Sequence, residues 1–499
     1  MNKKYIIAFD IGTTGCRTIL FGQQGQMIDS AYREFTQIYP KPGWVEHNPM
    51  EIWNMQLQTA REVFQRVGVI QEEIAAIGIT NQRETTVVWD KQTGIPLMNA
   101  IVWQDRRTCD ICEELEDKGW AEYVSRTTGL RIDPYFSATK IKWILDNIPN
   151  ARQKAERGDI LFGTIDTWII WKLTGGKAHV TDYSNASRTM IFDINNLCWD
   201  EKLLKELEIP VQILPQVRPS GEIYANTDEK EFLGIRIPVA ASIGDQQGAL
   251  FGQACFESGM VKATYGTGGS LLMNTGEKRI LSQHEMLSSI AWGMNGKVQY
   301  TLEGLLYVVG ASIQWLRDEL QLIKCADQTE EMAFSVPDTN GAYFVPAFVG
   351  LSAPYWDSYA RGGILGLTRG VNKNHIVRAA LESIAYQIKD VLICMEQDSN
   401  ISITQLKVDG GACKNNFLMQ FQADLLDVPV LRPKMVDATA RGAAFLAGLA
   451  TEFWKDQREL IHTFELDREY LPKMKEQERN ELYQGWQKAV SRTVNWIKH

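Results

Sequence analysis

The stretch Tyr5-Ile6-Ile7-Ala8-Phe9-Asp10-Ile11-Gly12-Thr13-Thr14-Gly15-Cys16-Arg17-Thr18-Ile19-Leu20-Phe21 decides the fold. Its apolar run Tyr5–Phe9 reads as a strand, and Arg17–Phe21 as a second. The Gly- and Thr-rich segment between them is a turn, and after Gln23-Gln24-Gly25-Gln26 a third run begins at Met27. Together they predict an antiparallel meander. The same order returns halfway along the chain: Gly259–Thr264, then Tyr265-Gly266-Thr267-Gly268-Gly269-Ser270, then the apolar Leu271-Leu272-Met273. The repeat suggests two related domains, residues 1–250 and 251–499, with a boundary near Gly248–Gly259.

Outward from the first meander, Pro49–Val67 is helical in pattern and Ile74–Thr80 is a buried strand. Strands and helices then alternate, which points to α/β architecture. Leu406–Asp409 is a strand running into Gly410-Gly411, a helix follows over Asn416–Leu426, and the small residues of 442–448 read as a tightly packed buried helix.

A chain of 499 residues exceeds what one core usually organises. At 44% hydrophobic and 23% charged it is an ordinary globular composition. The net charge of −9 argues against a nucleic-acid surface or a polybasic membrane anchor. An anionic ligand would need local positive potential from backbone N–H groups, a metal ion and a few arginines. No apolar run reaches the roughly 20 residues of a membrane span. The N-terminus reads as a first strand and not as a signal peptide, so a cytoplasmic protein is expected. The single CxxC, Cys109 and Cys112, has no second cysteine pair nearby and reads as two ordinary thiols.

Three segments can carry chemistry. In Asp10–Arg17, glycines and hydroxyls let backbone N–H groups approach phosphate oxygens, and Asp10 can hold magnesium through water; a plain hairpin is the alternative. In Gly244-Asp245-Gln246-Gln247-Gly248, Asp245 follows the apolar run Ile237–Ile243. That puts it at a strand end, where α/β sheets place ligands and a carboxylate can accept a proton; a helix cap is the alternative. In Asn81-Gln82-Arg83-Glu84-Thr85, the adjacent Arg and Glu suit vicinal hydroxyls, and the alternative is a solvated charge pair. Two weaker clusters, Val408–Asn415 and Gly310–Gln314, can flank a flat base. No P-loop signature occurs.

Six longer motifs stand in order: Asn81–Val88 (NQRETTVV), Trp103–Thr108 (WQDRRT), Val180–Arg188 (VTDYSNASR), Gly244–Gly252 (GDQQGALFG), Leu351–Arg361 (LSAPYWDSYAR) and Val408–Gln420 (VDGGACKNNFLMQ). On these motifs the chain resembles the FGGY carbohydrate kinases over nearly its whole length, and most closely their glycerol-phosphorylating members. The resemblance implies two duplicated actin-like, ribonuclease H-like ATPase domains around an interdomain cleft. It also implies transfer of a phosphoryl group from ATP, with Mg2+, to a small polyol: glycerol first, a longer polyol or ketose such as erythritol or xylulose as the alternative. A non-catalytic actin-like ATP-binding protein is the rival from another class. By position, Asp245 would be the general base and Asp10 and Asp245 the magnesium-side carboxylates. Arg83, Glu84, Trp103, Tyr135, Asp245 and Gln246 would line the polyol pocket. Thr13, Thr14, Gly15, Arg17 and Thr267 would hold phosphates, and Gly310, Gln314, Gly411 and Asn415 the nucleoside. A homodimer or homotetramer is the expected assembly.

The chain departs from the resemblance at two places that bear on the site. Glycerol-phosphorylating members usually read Asp-Gln-Gly-Thr-Thr-Ser-Ser-Arg at the first loop; here Ile11 replaces the Gln, and Gly15-Cys16 the Ser pair. They place a phenylalanine against the glycerol carbons at the position of Ser270.

Overall fold

The computed structural model describes residues 3–434 and 437–497. β1 (Tyr5–Ile11) is apolar on both faces and buried on both, which places it inside a sheet. β2 (Gly15–Phe21) and β3 (Met27–Glu34) continue antiparallel from it, as the meander predicts. On the other side β4 (Ile74–Asn81) lies parallel to β1. An antiparallel edge strand, β5 (Gly221–Asn226), leads into β6 (Pro238–Gly244), which pairs parallel with β4. The order is β5-β6-β4-β1-β2-β3.

The second half repeats this plan. β7 (Val261–Tyr265), β8 (Gly269–Gly276), β9 (Leu287–Met294) and β10 (Lys297–Leu306) are antiparallel neighbours. Then β11 (Leu406–Asp409) and β12 (Val430–Pro433) run parallel to β7, and β13 (Leu466–Tyr470) closes the edge antiparallel. The order β9-β10-β8-β7-β11-β12-β13 is that of the first sheet with one added strand, β9. In the two matching hairpins Asp10 pairs with Arg17 and Thr264 with Ser270.

Helix positions follow local chemistry. α1 (Pro49–Val67) starts where the Asn48 side chain accepts the N–H groups of Met50 and Glu51, with proline at the first position. It stops at Gly68, whose φ of 71° gives the left-handed cap. α2 (Asp245–Gly252) follows β6, and α3 (Gly310–Asp318) follows β10. α4 (Lys373–Ser399) opens on an Asn372/His375 capping box. α5 (Asn416–Leu426) and α6 (Ala438–Ala450) complete the set that shapes the cleft.

The two halves meet along α2 and α6. A Cβ on Gly252 would stand 1.9 Å from the Ala438 carbonyl oxygen, one on Gly442 1.9 Å from that of Gly248, and one on Gly78 2.1 Å from that of Ala443. No side chain fits between these backbones. The small residues read as a buried helix are therefore the seam of the molecule: Ala443, Ala444 and Ala447 pack with Ala8, Ala76 and Ala241 of the first sheet. Cys109 and Cys112 are free thiols, and no cluster of metal-binding side chains occurs among the described residues. Nor, among them, is any helix long and apolar enough to cross a membrane.

Candidate active site

The carboxyl ends of β1, β4 and β6 face those of β7 and β11 across the cleft, where open α/β sheets place ligands. Arg83 and Glu84 follow directly on β4. The chain turns sharply there: Thr85 N–H donates to the Arg83 carbonyl at 2.7 Å, and Glu84 has φ 64°, a left-handed conformation that non-glycine residues rarely hold. The Glu84 carbonyl is pinned by hydroxyls from Thr86 (3.0 Å) and Ser137 (2.9 Å). Arg83 and Glu84 are 3% and 1% exposed, so the solvated charge pair is ruled out.

Buried charges survive only when paired. Arg83 makes a two-pronged contact with Glu303 of β10, at 2.8 and 3.0 Å, and its Nε is ion-paired with Asp245 at 3.1 Å. Arg188 reaches Glu84 at 2.6 Å, Glu303 at 2.9 Å and the Ser289 hydroxyl at 3.0 Å. Burial would raise the Glu303 carboxyl, but the Arg188 and Arg83 guanidiniums overturn it and hold the group at about 2.

Asp245 is the first residue of α2, and Gly244 occupies the cap position, so the helix-cap reading fails. That places the carboxylate at the positive end of the helix. The carboxylate accepts the Gln246 N–H at 2.7 Å. Burial raises its pKa, against the pull of Arg83 and Lys262. Lys262, buried on β7, donates to Thr264 Oγ1 at 2.9 Å and to Gln246 Oε1. The Trp103 indole donates to Thr13 Oγ1 at 3.0 Å, and its ring meets Tyr135 edge-on at 5.4 Å.

A cavity of about 590 Å³ brings together Thr13, Arg83, Glu84, Trp103, Tyr135, Asp245, Gln246 and Thr267, with Glu303, Arg188 and Lys262 behind its lining. Ser270 lines it too, with a buried hydroxyl that has no partner among the described residues. A second cavity of about 720 Å³ lies between α3 and α5 and brings together Thr267, Gly310, Gln314, Gly411 and Asn415. Gly266 and Thr267 border both, so the second hairpin divides one cleft into two compartments. The Asn415 side chain is already engaged: its oxygen caps α5 at Leu418 N–H, and its amide donates to Thr329. One acceptor site of its oxygen and one of its two N–H groups are used in this way.

The remaining residues of the first hairpin lie outside both linings. Asp10 sits at the end of β1; burial pushes its carboxyl up to about 7, Arg17 opposing, Asp245 and Asp437 reinforcing. Thr14 bonds Tyr32 OH at 3.2 Å. Gly15 is buried, and a Cβ there would stand 2.5 Å from the Arg33 carbonyl oxygen, so close strand packing requires the glycine. Arg17 is ion-paired with Asp437 of the other half. Sequence reading missed Glu303, Lys262 and Arg188. The available signals were a charge within the apolar second half of β10, the single charge of β7, and an arginine closing the VTDYSNASR motif.

The FGGY carbohydrate kinase N-terminal model matches residues 5–252 and the C-terminal model residues 261–451. The chain belongs to the FGGY family of carbohydrate kinases, and its fold is the two-domain actin-like ATPase fold of that family. It is similar to the glycerol kinase of Carboxydothermus hydrogenoformans, 61% identical over 496 residues, covering 99% of each chain. It is likewise similar to that of Caldanaerobacter subterraneus, 60% identical over 495 residues, with 99% of each covered. Among solved structures, Plasmodium falciparum glycerol kinase with ADP matches at 35% identity and a TM-score of 0.94, over 99% of both chains.

Proposed function

We propose that the protein transfers the γ-phosphoryl group of ATP to a terminal hydroxyl of glycerol, giving sn-glycerol 3-phosphate. The observation that carries this is the constellation of buried Arg83 and Glu84 with half-buried Asp245, in a compartment that opens, at Gly266 and Thr267, onto the nucleotide side. The likeness to glycerol kinases supports the same substrate. Residues 1–250 then form the polyol-side domain and 251–499 the nucleotide-side domain, in a cytoplasmic enzyme.

The donor inventory suits a small vicinal diol. Among the described residues, protein partners occupy Arg83 Nε, both Nη1 hydrogens and one on Nη2, leaving one Nη2–H. Glu84 keeps Oε2 free as an acceptor, because Arg188 takes Oε1. One donor and one acceptor side by side orient adjacent hydroxyls and leave the terminal one facing Asp245. Asp245 accepts that proton as the oxygen attacks the γ-phosphorus and the bond to the bridging oxygen breaks, ADP leaving; the carboxyl then gives the proton up to solvent. Tyr135 and Trp103 pack over the carbon chain and exclude water, which would otherwise hydrolyse ATP.

Magnesium fits the donor chemistry of two carboxylates, Asp10 and Asp245, close enough to influence one another: burial lifts the Asp10 carboxyl to about 7, and Asp245 adds to the rise against Arg17. Asp10 and Asp245 would hold the ion through water, and it would neutralise charge on the nucleotide phosphates. The test is ATP consumption measured with glycerol, erythritol, dihydroxyacetone and xylulose. Glycerol is expected to give the highest kcat/KM. Preference for xylulose or erythritol would move the substrate, and no polyol-dependent turnover would leave an ATP-binding protein.

A further inference from the structure

Both domains line the polyol compartment, but the side chains expected to hold the polyol, Arg83, Glu84, Trp103, Tyr135, Asp245 and Gln246, all come from the first, and the group that fixes the arginine comes from the second. Glu303 is on β10, with a side chain that is fully enclosed, and it meets Arg83 through both carboxylate oxygens. The same carboxylate takes Arg188 Nη1 at 2.9 Å, and Arg188 Nε holds Glu84 at 2.6 Å. Arg83, Glu303, Arg188 and Glu84 thus form a closed ring of two positive and two negative charges, all buried. Two guanidinium planes locked in this way leave little freedom to the remaining Nη2–H of Arg83 and to Oε2 of Glu84.

We propose that Glu303 is a positioning residue for the polyol, setting the Arg83 plane directly and Glu84 through Arg188 from across the domain boundary. This rests on the glycerol-phosphorylating reading above. It follows that the polyol site is complete only while β10 is docked against the turn after β4. It gives a role to Arg188, the last residue of the VTDYSNASR motif, which lines neither cavity itself but holds Glu84, which does. The Ser289 hydroxyl on β9, 3.0 Å from Arg188 Nη1, makes the second domain's hold two-sided.

The test is steady-state kinetics of Glu303→Gln and Glu303→Asp, with both substrates varied. Glu303→Gln keeps the shape, removes the charge and turns an amide N–H toward a guanidinium. It is expected to raise KM for glycerol about tenfold or more while KM for ATP stays within about twofold, because misplaced positioning groups cost that much. Glu303→Asp, which keeps the charge, should recover part of the loss. Should Glu303→Gln fail to fold, Arg188→Lys carries the test: it keeps every charge but cannot bridge Glu84 and Glu303, and the same one-sided rise in KM is expected. A folded Glu303→Gln with unchanged KM for glycerol, or equal changes in both KM values, overturns the inference. A wild type that does not turn over glycerol overturns the functional reading instead.

Discussion

The two compartments of the cleft are built by opposite means. On the polyol side, side chains do the shaping: four buried charges cancel around the Arg83–Glu84 turn, and Lys262 holds Gln246. On the nucleotide side the backbone shapes the space. Gly410, at φ 90°, lies where a Cβ would stand 2.5 Å from the Tyr265 carbonyl oxygen, whereas a Cβ on Gly411 would meet nothing within 4 Å. The first glycine lets the chain pass the hairpin, and the second leaves open the volume a base can enter. The difference is one of burial: the first compartment rests on charges that are enclosed and paired, while the second opens at Gly411 and carries its charges, Arg317, Glu330 and Lys414 among them, on its walls. Substitutions on the two sides should therefore fail in different kinetic parameters.

The largest break expected is Asp245→Asn, which should lower kcat by at least ~10²-fold, the low end for loss of a general base. Turnover near the wild-type value would remove Asp245 from that role. Gly411→Val should fold normally and raise KM for ATP about tenfold by filling the base compartment, with KM for glycerol unmoved. A matching rise for glycerol would erase the proposed division of labour.

Ser270→Phe sharpens the polyol side. The unpartnered Ser270 hydroxyl leaves both space and a hydrogen-bonding group for one more CH–OH unit. Filling it should raise the kcat/KM preference for glycerol over erythritol, by roughly tenfold if contacts worth ~1–3 kcal/mol are gained. An unaltered ratio would show that Ser270 does not set the pocket's size.

The smallest effect concerns stability. Burial holds the folded-state pKa of Asp10 at about 7, above its ordinary 3.8, so the folded protein binds this proton more tightly than the unfolded chain does. That contribution is complete below pH 3.8 and is lost as pH rises through about 7. Asp10→Asn should therefore raise the thermal midpoint of the nucleotide-free protein by a few degrees at pH 8 and by progressively less toward pH 5. A difference that does not change with pH would mean that Asp10 is not held protonated.

Much of this was legible in the sequence because it is local. The hairpins, the span of α1 and the helix Asn416–Leu426 are written in apolar periodicity, caps and turn glycines, and they stand where those signals put them. The start of α2 was not, because Gly244 caps it without a side chain, a cap that leaves no polar signature. The burial of Arg83 and Glu84 was illegible for a different reason. It depends on partners 220 and 104 positions away, Glu303 and Arg188, and no local pattern pairs charges at that distance. The small residues of α6 announced a packed helix, but not that its partner would be the sheet of the other half.

The central claim is that the polyol side is preformed by buried charges and needs neither the base nor the nucleotide to recognise its ligand. Calorimetric titration of glycerol into the nucleotide-free wild type and into Asp245→Asn tests it most directly. The account predicts binding in both, with affinities within about tenfold of each other, since Asp245 supplies only one of several polar contacts. Absence of binding to the nucleotide-free wild type, or its loss in Asp245→Asn alone, would contradict it.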